Sequence, residues 1–297
     1  MSVSLSLFFI VEPPQYQYMA CYLAASLRNH LPQEVELIGY CPEQKYKDLP
    51  AHVIETLRRM RVDIRTFKTD GRFDPAYPHG NKILASLERR STTYSGFMDS
   101  DILMIRDTDP ADLIKRGHVS ASVAASMYWA KQTIWTDLYG VFDMDVPTER
   151  VTLMRDKRFP RIPYFSSGFV IFPERKTASF DRFPDVWFDT AKQIDAKASV
   201  ENKRPYLDQM SLPIAIKRSG LEWHELPEEH HYILGGSLRG KPFPTDRQIH
   251  TVHYRKWDVL AEAGLSAQGY KGLKKQVGTR RVSNIFNIDP ETKKRIS

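Results

Sequence analysis

Thiols are scarce in this sequence: Cys21 and Cys41 are the only two in 297 residues. Two cysteines exclude a disulfide framework and a thiolate zinc site. Both lie in apolar stretches, so they are expected as buried spectators in a reducing cytoplasm. Long apolar runs are missing too. Residues 1–11 are apolar but lack a basic leader segment, and Glu12-Pro13-Pro14 stops them. The run is too short to span a bilayer and is expected as a first strand, not a signal. No internal repeat, low-complexity tract or linker stands out, which leaves one large domain or two small ones. His224, His230 and His231 lack the fixed helical spacing of a zinc pair and are expected at the surface. Ser166 and Ser167 have no acid or histidine beside them in sequence, so a serine nucleophile has little support.

Hydrophobic content of 41% and charged content of 27% place the chain among soluble globular proteins. The net charge of +7 is unevenly spread: from residue 271 on, eight cations face two acids, a net of +6 that leaves +1 on the remainder. The cations are Lys271, Lys274, Lys275, Arg280, Arg281, Lys293, Lys294 and Arg295; the acids are Asp289 and Glu291. Basicity is thus a property of the tail and not of a nucleic-acid-binding face, so no nucleic-acid partner is expected. A solvated end is one reading. The other is peripheral contact with anionic lipid on the inner face of the membrane, or with an acidic glycan.

What the sequence does hold is an acid pair in an apolar setting. Residues 94–105 run Tyr-Ser-Gly-Phe-Met-Asp99-Ser100-Asp101-Ile-Leu-Met-Ile. The flanking runs read as buried strand, and burying an unpaired carboxylate is costly, so the acids belong at a strand end. Residues i and i+2 of an extended chain point the same way. Asp99 and Asp101 can therefore converge on one hard cation such as Mg²⁺ or Mn²⁺. A polar turn between two strands is the plain alternative.

The first third alternates strand and helix: strand 4–11, helix 16–30, strand 35–40, helix 52–60, strand 62–67. That alternation indicates a parallel sheet covered by helices, with ligands at the carboxyl ends of its strands. A loop over 72–80 precedes a helix starting at Asn81. Lys82 falls in its first turn, where a cation opposes the helix dipole; a ligand phosphate would resolve that, and an exposed surface lysine is the alternative. Further strands are expected at 119–125, 163–173, 222–226 and 248–257, and helices at 131–142 and 180–194. Residues 155–163 are basic and irregular, as for a lid or acceptor loop. Ser166 and Ser167 offer hydroxyls to a sugar, and Gly168 permits close backbone approach. The helix starting at 206 should be kinked or interrupted by Pro213. Its Asp208-Gln209 pair points to a pocket, or is simply an N-terminal helix acid. His250 and His253 are an odd number apart, so on one strand at most one faces the acids.

Taken together, Asn81-Lys82, Asp99-Ser100-Asp101, residues 165–171, Asp208-Gln209 and the late His-Tyr with Lys-Trp resemble, in that order, the nucleotide-sugar glycosyltransferases of GT-A fold. The nearest likeness is to the glycogenin and lipopolysaccharide galactosyltransferase-like group, over residues 4–257. The resemblance implies an α/β, Rossmann-like, mostly parallel central sheet in a domain over 1–270, followed by the basic tail 271–297. It implies a UDP-sugar donor, a glycan or lipid-linked acceptor, and Mn²⁺ or Mg²⁺. By position Asp101 is the principal metal ligand and Asp99 binds the metal or the donor ribose. Lys82, Val11, Glu12 and Ser100 are carried over to the donor pocket. Ser167 and Gly168 match an Asn-Ser-Gly bend near the sugar, with Ser166 in place of the Asn. Asp208 and Gln209 match the Asp-Gln beside the reacting carbon and stand as catalytic. The group's ending, H-x-x-G-x-x-K-P-W, is altered here: its Gly and Pro are absent. Spacing favours His250 as the ligand with Lys256 on the diphosphate, whereas the Val-His-Tyr context favours His253, which is chosen. Transfer with retention is expected. An aspartyl-phosphate phosphohydrolase, which places its D-x-D after the first strand, and a non-catalytic basic binding module are the alternatives.

Overall fold

The most apolar segments of the chain become neighbouring strands of one sheet. In the computed structural model, which describes residues 4–176, 182–197, 200, 203, 204, 206–288 and 292, the strands are β1 Leu5–Ile10, β2 Glu36–Pro42, β3 Val62–Phe67, β4 Tyr94–Met98, β5 Ile102–Met104, β6 His118–Val123, β7 Phe165–Pro173, β8 Glu222–Glu225, β9 Tyr232–Ile233 and β10 Thr251–His253. The helices are α1 Tyr16–His30, α2 Ala51–Arg59, α3 Asn81–Ser86, α4 Pro110–Leu113, α5 Ile134–Gly140, α6 Phe183–Ala196, α7 Leu207–Ser219, α8 Trp257–Glu262 and α9 Ser266–Val277.

Seven strands form a sheet in the order β3-β2-β1-β4-β7-β6-β8, and β5-β10-β9 form a small second sheet. Within the large sheet β7 pairs antiparallel with both β4 and β6, while every other pairing is parallel. The expected mostly parallel α/β sheet is therefore present. Successive residues of β1 serve opposite faces. Phe8 and Ile10 join a core that includes residues of α3, α5, α6 and α7; Leu7 and Phe9 join one that includes residues of α1, α2 and α9. Both faces are covered, which is why β1 reads as an unbroken apolar run.

Four expectations need correction. The charge-based boundary at residue 271 falls inside α9, whose Gly269, Leu273 and Val277 recur every four residues and are buried. Leu273, Val277, Val282 and Ile285 join the core beside α1 and α2, so 271–288 is built into the domain. The tail residues Asp289, Glu291, Lys293, Lys294 and Arg295 lie outside the described residues. Of the kink or interruption expected at Pro213, the interruption does not occur: α7 continues through it, because ten of its thirteen residues are buried and tertiary packing outweighs the lost N–H. The expected strand 248–257 shortens to β10. After it, Lys256 N donates to Tyr254 O at 2.6 Å around Arg255, which takes a left-handed φ of 59°. Finally, His230 and His231 are buried, not surface, residues. The helix expected at 180–194 is α6; positions 180 and 181 lie outside the described residues. Among the described residues no helix is long and apolar enough to cross a membrane.

Candidate active site

The acid pair marks the point where the chain leaves one sheet for the other. β4 ends at Met98 and β5 begins at Ile102, so Asp99-Ser100-Asp101 forms the turn between sheets. Asp99 N donates to Gly168 O at 2.8 Å and Tyr254 N to Asp101 O at 3.0 Å. Ser100 Oγ donates to Ile10 O at 2.5 Å, tying the turn to the end of β1. Backbone and side-chain bonds to three separate elements thus fix the carboxylates before any ligand arrives.

Pairing of β10 with β5 supplies the third group. Its register sets His253 opposite Ile102, one residue from Asp101. His253 Nε2 lies 3.2 Å from Asp101 Oδ1 and 3.9 Å from Asp99 Oδ2. His250 faces elsewhere, as the odd spacing requires: its Nδ1 sits 3.0 Å from Thr108 Oγ1, and its ring stacks on His230 at 4.6 Å. One ligand atom from each of Asp99, Asp101 and His253 falls within 4.8 Å of the others. Behind this corner is Gly168. A Cβ there would meet Asp99 Oδ2 at 2.7 Å, His253 Cε1 at 3.1 Å and His231 Cε1 at 3.2 Å, so only glycine leaves the corner open. Two carboxylates and an imidazole in an uncrowded corner fit Mn²⁺ or Mg²⁺.

Lys82 joins this corner to the second acid centre. Its Nζ lies 2.9 Å from Asp99 Oδ1, 3.2 Å from Asp208 Oδ2 and 3.3 Å from Ser167 Oγ. Asp208 is buried. It accepts from Ser167 Oγ at 2.5 Å and from the Tyr77 hydroxyl at 2.8 Å. Next to it, Gln209 Oε1 accepts from the Tyr164 hydroxyl at 2.9 Å. Burial raises Asp99 above the usual carboxylate range, with Lys82 offsetting only part and Asp101 adding to the rise. Burial pushes Asp101 the same way, but the His253 imidazole, a backbone hydrogen bond and the Lys82 charge together outweigh it and hold that carboxyl low. Lys82 is raised: burial opposes its charge, and Asp99 and Asp208 more than compensate.

The structure thus brings together Lys82, Asp99, Asp101, Ser167, Gly168, Asp208 and His253. Glu12 borders them, bonded by Asn81 Nδ2 at 3.0 Å and ion-paired with Lys45. Val11 is buried, and the Ser100 side chain is turned into the fold. Lys256 is exposed at the start of α8 and makes no ion pair among the described residues. Sequence reasoning missed Tyr16, Tyr77, Tyr164 and His231. Tyr16 is 45% exposed, and its hydroxyl is raised by partial burial and by the charges of Asp101 and Asp99. The Pro- and aromatic-rich character of 72–80 was the one available hint of Tyr77. His231 donates to or accepts from Ser166 Oγ at 2.9 Å and packs on the His253 ring at 5.1 Å.

The sequence model of a family described as the Rhodobacterales glycosyltransferase domain matches residues 7–220. No curated protein matches the chain. Several solved structures share its fold. An active-site mutant of LgtC aligns with a TM-score of 0.58 at 12% identity, over 90% of this chain and 99% of that one. Galactosyltransferase LgtC in complex with donor and acceptor sugar analogs gives 0.55 at 10%, over 89% and 95%. The apo form of mouse xyloside xylosyltransferase 1 gives 0.51 at 13%, over 84% and 97%. At such identities the likeness is one of fold, and that fold is GT-A.

Proposed function

The chain belongs to the Rhodobacterales glycosyltransferase domain family, and from that premise we propose that it moves a sugar, with retention, from a UDP-sugar to a glycan or lipid-linked acceptor, with Mn²⁺ or Mg²⁺ held by Asp99, Asp101 and His253. Family membership removes the phosphohydrolase and binding-module alternatives. The single observation that carries the proposal is the convergence of those three side chains within 4.8 Å at the carboxyl end of β4, where such sheets take their ligands.

When bound, the ion supplies positive charge where the leaving diphosphate gains negative charge. The chain's own groups do the rest. Lys82 carries a buried cation between Asp99 and Asp208, aimed where a phosphate would lie, and in the free protein the two carboxylates hold its charge. Asp208, fixed by Ser167 and Tyr77, positions the sugar together with Gln209 beside the reacting carbon. Val11 and Glu12 follow the end of β1 on the nucleotide side, and the half-exposed Tyr16 ring offers a face for the base. Ser100 keeps the acid-bearing turn in place. Lys256, free at the surface, closes over the diphosphate. Cations Lys271, Lys274, Lys275, Arg280 and Arg281 are exposed, as is Phe286 at 61%; their exposure supports peripheral contact with an anionic membrane surface on the cytoplasmic side.

A thermal-shift panel of nucleotide-sugars with Mn²⁺ tests the proposal. A matched UDP-sugar at 100 times its Kd should stabilise the fold by about 2.7 kcal/mol. No shift with any UDP-sugar, with or without the metal, would overturn it. Liposome sedimentation at low salt tests the membrane contact separately: charge reversal of Lys271, Lys274 and Lys275 should release the protein from anionic vesicles, and unchanged binding would count against it.

A further inference from the structure

The two ends of the Gln209 amide meet different surroundings. Oε1 accepts from the Tyr164 hydroxyl, while Nε2 has no protein partner among the described residues, and the residue is half-buried. This orientation follows from a group further back. Trp129 Nε1 lies 3.2 Å from the Tyr164 oxygen, and an indole N–H can only donate. With that oxygen already accepting, the phenolic hydrogen needs an acceptor of its own, and among the described residues Gln209 Oε1 is the one it has. Were the amide turned over, two N–H groups would address one oxygen. The proton of a phenol that is 1% exposed would then go unbonded, at a cost in stability. The donor-only indole therefore sets the direction of both bonds without any need to tell amide O from N by inspection. Trp129 and Tyr164 are themselves held in place. The Trp129 ring stacks on Tyr206 at 4.5 Å and 13°, Tyr206 is the residue that opens α7, and Ala124 N donates to Tyr164 O at 2.9 Å.

We propose that Trp129 and Tyr164 are positioning residues that lock Gln209 with its carbonyl inward and its NH₂ toward the pocket, so that Gln209 serves the sugar as a hydrogen-bond donor and not through its oxygen. The pocket side of this statement rests on the sugar-transfer reading above; the relay itself does not.

Two measurements on the full chain separate these parts. In the donor-free protein, labelled with ¹⁵N at glutamine side chains, the Gln209 NH₂ pair is identified by its loss in Gln209→Ala. Trp129→Phe, which keeps the stacking and removes the N–H, should shift that pair, and Tyr164→Phe should shift it further, with other glutamine pairs unmoved. A pair that stays put in both variants overturns the relay. The second measurement uses a UDP-hexose panel with Mn²⁺ and follows UDP release. Trp129→Phe should lower kcat about tenfold with KM nearly constant, and Gln209→Glu, which cannot donate, should fall as far as Gln209→Ala, about a hundredfold. Wild-type kcat in Gln209→Glu overturns the donor role. If the wild-type protein releases UDP from no donor in the panel, the sugar-transfer reading fails and the donor role with it, while the resonance arm still decides the relay.

Discussion

Lys82 Nζ sits 2.9 Å from Asp99 Oδ1 while remaining 3.2 Å from Asp208 Oδ2, so one ammonium is shared between a proposed metal ligand and the proposed sugar-positioning acid. Without a ligand this single positive charge offsets only part of the negative charge of the two acids, which leaves room for a bound cation.

Lys82→Met should therefore leave Asp99 and the buried Asp208 without their shared cation and destabilise the metal-free protein by about 3 kcal/mol. Mn²⁺ should recover more stability in this variant than in the wild type, because it replaces the lost positive charge. Urea denaturation with and without Mn²⁺ reads both effects; equal stability of the two proteins without metal would mean that the lysine is not balancing the acids.

Gly168→Ala places a methyl 2.7 Å from Asp99 Oδ2. The expected outcome is a cost of about 1–3 kcal/mol and a drop in Mn²⁺ affinity of at least an order of magnitude, roughly the effect of a clash that moves a ligand atom out of place. Calorimetric titration with Mn²⁺ checks it; undiminished affinity would show that the corner has room to spare.

Much of this site was legible in the sequence, for definable reasons. Asp99 and Asp101 stand out because acids between apolar strands are costly unless they have a task, and period-two geometry puts them on one side. The odd spacing of His250 and His253 correctly allows only one of them near the acids. The misses share a cause, which is that local composition outweighed tertiary context. Glu228-Glu229-His230-His231 looks polar, yet His231 is sealed behind Gly168 and His253. The lysines of α9 drew attention away from Gly269, Leu273 and Val277, whose helical spacing announces a packed face. Tyr77 and Tyr164 reach Asp208 and Gln209 across 131 and 45 residues of chain, and no spacing rule covers such distances.

That packed face yields its own expectation. Leu273→Ala should cost about 2–5 kcal/mol, as for a large buried side chain cut to a methyl group. A chemical denaturation midpoint identical to wild type would instead show 271–288 to be dispensable.

His230 and His231 are both held below the ordinary imidazole value, first by burial and then by His250 and His253 respectively. Because their folded-state values are depressed, their neutral forms favour folding fully above the unfolded value of 6.5. That contribution is lost as pH falls below it, since the unfolded chain binds the protons first. The thermal midpoint should drop between about pH 7 and 5, and His230→Phe, which preserves stacking on His250, should make the decline shallower. An unaltered slope in the variant would assign the acid sensitivity to other groups.

The most direct test of the metal corner is an electron paramagnetic resonance titration of Mn²⁺ in the presence of UDP, comparing wild type with Asp101→Asn. The wild-type protein should bind a single tight Mn²⁺, and the variant should lose it while keeping its circular dichroism spectrum and its thermal midpoint. Equally tight Mn²⁺ binding by Asp101→Asn, or none by the wild type, would contradict the assignment of Asp99, Asp101 and His253.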